Sequence, residues 1–190
     1  PWFTETDVSV ADDPHLLDLL AASGCRQLLI GFEAPSAAEL DGLEASGFKK
    51  RRAASYLRAI DAIQSRGISV NGCFILGLDT QGPGIFEEVE RFVQHSGLTE
   101  VQLTVLTPFP GTSLYRRLAA EGRLLFPGQW ERCTLFDVAF QPKRMSVAQL
   151  EEGLATLMGT VYSSEATRRR KRLFASNRRA WSRRSAREAA

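Results

Sequence analysis

The chain has 190 residues, 44% apolar and 24% charged, a globular composition that excludes a disordered, collagen-like or coiled-coil protein. At this length roughly 70% of the unfolded surface can be buried, so a core can form without disulfide or metal staples. The formal charge of +2 hides an asymmetry, because residues 1–167 carry 14 Lys and Arg against 21 Asp and Glu while residues 168–190 carry 10 against one.

The opening Pro1-Trp2-Phe3, without Met or a basic leader, reads as the interior of a longer protein. Phe3 to Val10 is a first strand, followed by a helix with acidic caps at Asp12-Asp13, Pro14 in its first turn and a stop at Gly24. Gln27 to Phe32 is a second strand. Ser36-Ala37-Ala38-Glu39 has the form of a capping box that opens a helix, and Tyr56, Leu57, Ile60 and Ile63 make an apolar stripe ending at Gly67. A third strand, Ile68 to Leu78, precedes a helix from about Pro83 to Ser96, with Phe86, Val89, Phe92 and Val93 inward and Gly97 as its stop. Glu100 to Leu106 is the fourth strand.

This βαβα alternation predicts parallel strands in sequential order, in either an open doubly wound sheet or part of a (β/α) barrel. In both, chemistry sits in the loops at the carboxyl ends of the strands. Those loops are Gly31 to Ser36, Phe74 to Asp79 and Leu106 to Thr112. A last helix is predicted after Met145-Ser146, with a capping box to Gln149 and Leu150, Leu154, Leu157, Met158 and Val161 at helical spacing.

Cys25, Cys73 and Cys133 are widely separated and lack CxxC spacing, which points to reduced thiols in a cytoplasmic protein and supplies no local metal knuckle. Cys73 lies within an apolar strand and reads as core. No apolar run reaches the 18 or so residues of a membrane span. Trp130 and Phe136 are expected to pack a tail module onto the strands.

At Ile30-Gly31-Phe32-Glu33, Gly67-Ile68 leading to Phe74-Ile75-Leu76-Gly77-Leu78-Asp79, and Leu106-Thr107-Pro108-Phe109-Pro110-Gly111-Thr112, the chain resembles the radical S-adenosylmethionine superfamily. Glu121-Gly122-Arg123-Leu124, Trp130 and Phe140-Gln141-Pro142-Lys143 resemble the tail module of its cobalamin-binding-domain class. The resemblance implies an α/β fold. Residues 1–118 would be the carboxyl-terminal part of a partial (β/α)6 TIM-like barrel, 119–165 a helical tail module and 166–190 a basic terminal helix or disordered tail.

By the same resemblance the cofactors are S-adenosylmethionine, a [4Fe–4S] cluster and cobalamin. The cluster-binding CxxxCxxC loop and the cobalamin domain would precede Pro1, so this segment should be unable to react alone. The implied chemistry is methylation, or a related modification, of an unactivated carbon in a small-molecule or lipid substrate. A flavodoxin or ferredoxin would donate electrons. The alternatives are a tRNA-modifying methylthiotransferase-like enzyme and a cluster-free binding scaffold.

The cofactor-binding candidates are Glu33, Ser36, Ile75, Gly77, Asp79, Leu106, Thr107 and Pro108. Glu33 suits ligand ammonium or ribose hydroxyl groups, or a structural pair with Lys49 or Lys50. Gly77 allows close backbone approach to adenine, or simply releases the strand into a turn. Thr107 to Thr112 is a stiff loop that walls a pocket or connects strand to helix. Beyond Ser164, Arg168 to Arg172, Arg178-Arg179, Arg183-Arg184 and Arg187 are interleaved with Leu173, Phe174, Asn177 and Trp181 as a stripe. That pattern favours an anionic membrane surface over RNA, hence a cytoplasmic protein peripheral to the membrane.

Overall fold

The four apolar runs become β1 (Trp2–Thr6), β2 (Cys25–Glu33), β3 (Ser69–Leu76) and β4 (Glu100–Val105) of one sheet, ordered β1-β2-β3-β4 with every neighbouring pair parallel. A computed structural model describes residues 1–188, apart from the side chains of 184, 185, 187 and 188, so the Arg184 and Arg187 side chains lie outside the described residues. Parallel neighbours demand crossovers, and α1 (Pro14–Ala22), α3 (Tyr56–Gln64) and α4 (Ile85–Ser96) supply them. Short α2 (Phe48–Arg52) precedes α3. Beyond β4 come α5 (Ser113–Ala120), α6 (Val147–Val161) and α7 (Ser164–Glu188).

Helix ends follow local chemistry where side chains decide them. Asp13 accepts from the Leu16 amide at 2.9 Å to start α1, Ser146 and Gln149 form their reciprocal box at α6, and Gly97 ends α4 at φ 68°. Elsewhere the expectations need correction. β1 stops at Thr6 because the Asp7 carboxylate accepts from the Ser9 amide at 2.7 Å and turns the chain into a 3-10 segment over Val8–Asp12. Ser36 to Glu39 opens no helix: the chain passes through turns, with Gly42 and Gly47 at positive φ, and becomes helical only at Phe48. Leu57 stands in solvent, since Ala59 and Gln64 complete the buried face of α3.

The two faces of the sheet differ. Leu28, Ile30, Phe32, Val70, Phe74 and Leu76 are buried under the helices, where Phe32, Tyr56, Phe74 and Phe92 interlock with centroids 4.6–6.4 Å apart. On the opposite face Leu29, Gly31, Asn71, Cys73 and Ile75 are half-buried, and Phe3 is 68% exposed. That alternation is the period of two expected of strands with one covered and one partly open face.

The free edge of β4 is sealed by the tail. The Tyr162 hydroxyl accepts from the Leu103 amide and donates to the Val101 carbonyl, both at 3.2 Å, while the Val105 amide donates to the Leu135 carbonyl at 2.7 Å. These bonds occupy edge groups that would otherwise recruit another strand. The tail carries its own antiparallel bridge, Leu124 to Phe140. Trp130 and Phe136 do not bury themselves in the packing: they are 51% and 54% exposed, and Trp130 rests against the Tyr115 ring.

At the opposite end α7 folds back across the start of the strands. Buried Arg170 donates to the carbonyls of Val161 and Thr99, and Gly67 lies within van der Waals reach of Arg178 and Trp181, where a Cβ would meet both at 3.3 Å. Gln64 braces the same end by accepting from the Thr99 amide at 3.0 Å and donating to Gly97 at 2.7 Å.

Candidate functional site at the carboxyl-terminal rim

Parallel pairing brings the carboxyl ends of β2, β3 and β4 to one rim, with Glu33 opposite Phe74 and Leu76 opposite Val105. Glu33 is set by an irregularity. The β2–β3 register shifts between Gly31 and Glu33, and Glu33 takes φ 65°, a left-handed conformation costly for a side chain that has a Cβ. The surroundings enforce it: the Phe32 carbonyl accepts from the Ala34 amide at 2.8 Å and from the buried Tyr56 hydroxyl at 3.1 Å. Burial raises the Tyr56 phenol, with Glu33 and Glu44 adding to the effect, so it stays a donor.

The twist turns the Glu33 carboxylate back over Gly31, where it pairs with the Lys49 ammonium, which also donates to the Gly31 carbonyl at 2.8 Å. A Cβ at Gly31 would collide with both groups, so this glycine makes room for the pair. The structural pair with Lys49 is therefore realised, and it places a carboxylate and an ammonium side by side at the open face. Ile75 shares that face and is half-buried. Cys73 lies one residue pair deeper: burial first, then the Glu33 and Glu5 charges, push its thiol up to about 11.

The loop after β3 is held by a residue that pattern reading missed. Gln81 is fully buried, accepts from the amides of Gly77 (2.8 Å) and Leu78 (3.1 Å), and donates to the Ile75 carbonyl at 3.0 Å. The one sequence signal was a polar residue inside the Leu78-to-Pro83 turn. Gly77 sits at φ 93° with its open side against the tail, where a Cβ would approach Phe140 and Leu150 at 3.0 Å. Asp79 also turns to the tail, bonding Arg123 at 2.9 Å, Arg117, and Lys143 at 3.2 Å. Burial works to raise its pKa, but these three cations outweigh it and hold the carboxyl down at about 2.

Leu106 extends the ladder by donating to the Leu76 carbonyl at 2.8 Å. The buried Thr107 hydroxyl turns back to the Val105 carbonyl at 3.0 Å, and Pro108 is buried beside Cys133. Ser36 follows Glu33 in the turn and is half-buried. A cavity of about 610 Å³ opens at this rim between Glu39, Asp41, Leu78, Asp79, Leu106 and Arg117. Glu39 Oε2 is buried there without a hydrogen-bond partner among the described residues, and desolvation followed by Glu88 repulsion raises its pKa. Glu33 and Ile75 thus lie on the open face of the rim, Leu106 and Asp79 line its cavity, Gly77, Asp79 and Pro108 also meet the tail, and Thr107 braces its own loop.

Comparison with known proteins bears on this arrangement. A family model described as a domain of unknown function, DUF4070, matches residues 112–189. Bacteriochlorophyllide d C-12(1)-methyltransferase of Chlorobaculum tepidum is 24% identical over 89% of this chain and 36% of its own length. Hopanoid C-2 methylase of Rhodopseudomonas palustris is 29% identical over 64% of this chain and 22% of its own. In three dimensions the archaeal Elp3 of Methanocaldococcus infernus superposes with a TM-score of 0.54 at 12% identity, covering 83% of this chain and 32% of that one. These matches agree with the resemblance to the radical S-adenosylmethionine superfamily that the rim motifs carry. The chain spans about a third or less of the length of these curated relatives.

The three cysteines do not come together among the described residues. Cys25 is buried at the start of β2, Cys73 faces the open side of β3, and Cys133 sits in the tail. No group of three His, Cys, Asp or Glu side chains converges among the described residues. The Glu33–Lys49 pair does fit an amino-acid-bearing ligand, because it presents both signs of charge in hydrogen-bonding position. No described helix is long and apolar enough to cross a membrane.

Proposed function

We propose that this chain is the carboxyl-terminal barrel portion and tail of a cobalamin-dependent radical S-adenosylmethionine methylase acting on an unactivated carbon of an apolar small molecule or lipid. The observation that carries the reading is the Glu33–Lys49 pair, held at the rim of four parallel strands in a chain whose relatives are named as methyltransferases. The division at 1–118, 119–165 and 166–190 belongs to this proposal. So do the cytoplasmic setting and the electron donor of flavodoxin or ferredoxin type. The cluster ligands and the cobalamin domain are assigned to the amino-terminal part of the same protein, in keeping with the greater length of the relatives.

When bound, S-adenosylmethionine supplies the methyl and 5′-deoxyadenosyl groups of this chemistry. This chain's own part is to bind and orient. Glu33 accepts hydrogen bonds from ligand ammonium or ribose hydroxyl groups, and Lys49 offers a positive charge to a carboxylate. Ile75 and Leu106 supply apolar surface. Gly77 gives the turn its conformation, and Gln81 keeps that turn from relaxing. Ser36, Asp79, Thr107 and Pro108 complete the rim, the last three by fixing the loops from behind.

The test is S-adenosylmethionine affinity in the full-length protein. Glu33→Ala should weaken binding by about tenfold, the loss expected for a charge-assisted hydrogen bond. Unchanged affinity would return Glu33 to a purely structural pair.

A further inference from the structure

The basic helix α7 presents two opposite faces. Ala166, Thr167, Arg170, Phe174, Asn177 and Trp181, at helical spacing, are buried or half-buried toward the rest of the molecule. Arg170 is fastened to Val161 and Thr99 at one end, and Trp181 rests beside Gly67 at the other. The apolar stripe expected to enter a membrane is thus largely used up by the fold. Leu173, 47% exposed at the margin, is the large apolar side chain left outward among the described residues of α7.

The opposite face is an arginine surface. Arg168, Arg172, Arg179 and Arg183 follow one line over about 22 Å, flanked by Arg169, Lys171 and Arg178, and all seven are exposed. Among the described residues no ion pair involves any side chain beyond Lys143. Seven unpaired cations on one side of a helix repel one another and raise the local potential, a cost that a polyanion removes. Residues 1–167, with 14 basic against 21 acidic side chains, give the molecule a charge dipole directed through α7.

We infer that the arginine face of α7 is an electrostatic docking surface for an anionic membrane, met flat and without insertion. Geometry selects the membrane over nucleic acid. Because α7 is anchored at Arg170 and again beside Gly67 at Trp181, its inner face is covered between these points, and that stretch cannot enter a groove as a protruding recognition helix does. The face also carries no aromatic ring on which single-stranded bases could stack. A plane of lipid phosphates and carboxylates needs neither, and each basic residue near such a surface contributes about fivefold in affinity, or about 1 kcal/mol. Since α7 crosses the amino-terminal end of the strands, docking there leaves the carboxyl-terminal rim unobstructed.

Co-sedimentation of the 190-residue chain with phosphatidylcholine vesicles, with and without about 30% phosphatidylserine, tests this at about 0.15 M salt. Binding should require the anionic lipid, fall more than tenfold on raising salt to about 0.5 M, and drop at least a hundredfold in Arg168→Gln/Arg172→Gln/Arg179→Gln/Arg183→Gln. In a Trp2→Phe/Trp130→Phe background, Trp181 emission should not shift on binding, because its ring already lies against Gly67. A blue shift with salt-resistant binding would mean that the helix undocks and inserts, overturning the inference. Tighter retention of the chain on tRNA than on anionic vesicles at the same salt would overturn it in favour of nucleic acid. The salt and lipid series use the unaltered chain and so decide the matter even if the fourfold variant misfolds.

Discussion

Replacing Gln81 by Leu should be among the most damaging single changes at the rim. The side chain is fully buried and satisfies three backbone groups, the amides of Gly77 and Leu78 and the carbonyl of Ile75. Leucine fits a similar volume but leaves all three without a partner, at roughly 1–3 kcal/mol each. The added apolar burial offsets about 1–2 kcal/mol of that loss. At the middle of these ranges the net destabilisation is about 4–5 kcal/mol, or a fall in Tm of about 8–20 °C for a chain of this size. Urea unfolding followed by far-ultraviolet circular dichroism measures it. Gln81→Glu is the companion: its carboxylate can accept from both amides but cannot donate to Ile75. Burial should raise that carboxyl above its unfolded value, so the variant's stability should decline as pH rises above the ordinary glutamate value of about 4.3. A Leu variant within about 0.5 kcal/mol of the parent would show that water or backbone relaxation can replace the amide, and would refute this account of the rim.

Two further perturbations probe the joint between sheet and tail. Gly77→Ala adds a Cβ at φ 93° that meets Phe140 and Leu150 at 3.0 Å, so it should cost about 1–3 kcal/mol, and Phe140→Leu in the same chain should recover part of the loss; strict additivity of the two changes in urea would contradict the steric explanation. For Asp79, the folded carboxyl titrates at about 2 against an ordinary value of 3.8, so its contribution is complete above about pH 4 and is lost as pH falls toward 2. Asp79→Asn should therefore flatten stability against pH over that window, and parallel curves for parent and variant would place the acid-sensitive group elsewhere.

How the rim is assembled shows where local sequence stops being informative. Strand and helix periodicity follow from which side chains can face a core at spacings of two and 3.6 residues, so β2, β3, β4, α3, α4 and α6 were legible, as were the ends set by Asp13, Gly97 and Ser146. Sequential parallel order follows too, because helical crossovers leave little topological choice. The capping pattern at Ser36 failed because a box stabilises only a helix whose next turns have a buried face. Here Gly42 and Gly47 adopt left-handed conformations, and Glu39 lines the rim cavity instead. Nothing local assigns Gln81 to Gly77 and Ile75 or Tyr162 to the β4 edge, and the sequence left Glu33 open between a ligand, Lys49 and Lys50, since those pairings depend on where loops and helices dock. The same holds for α7. Composition determined that it is basic and helix spacing that it carries a stripe, but only its docking on Gly67 and Thr99 decided that the stripe faces inward and the arginines outward, because burial of Phe174 and Trp181 competes with, and here replaces, any other use of that face.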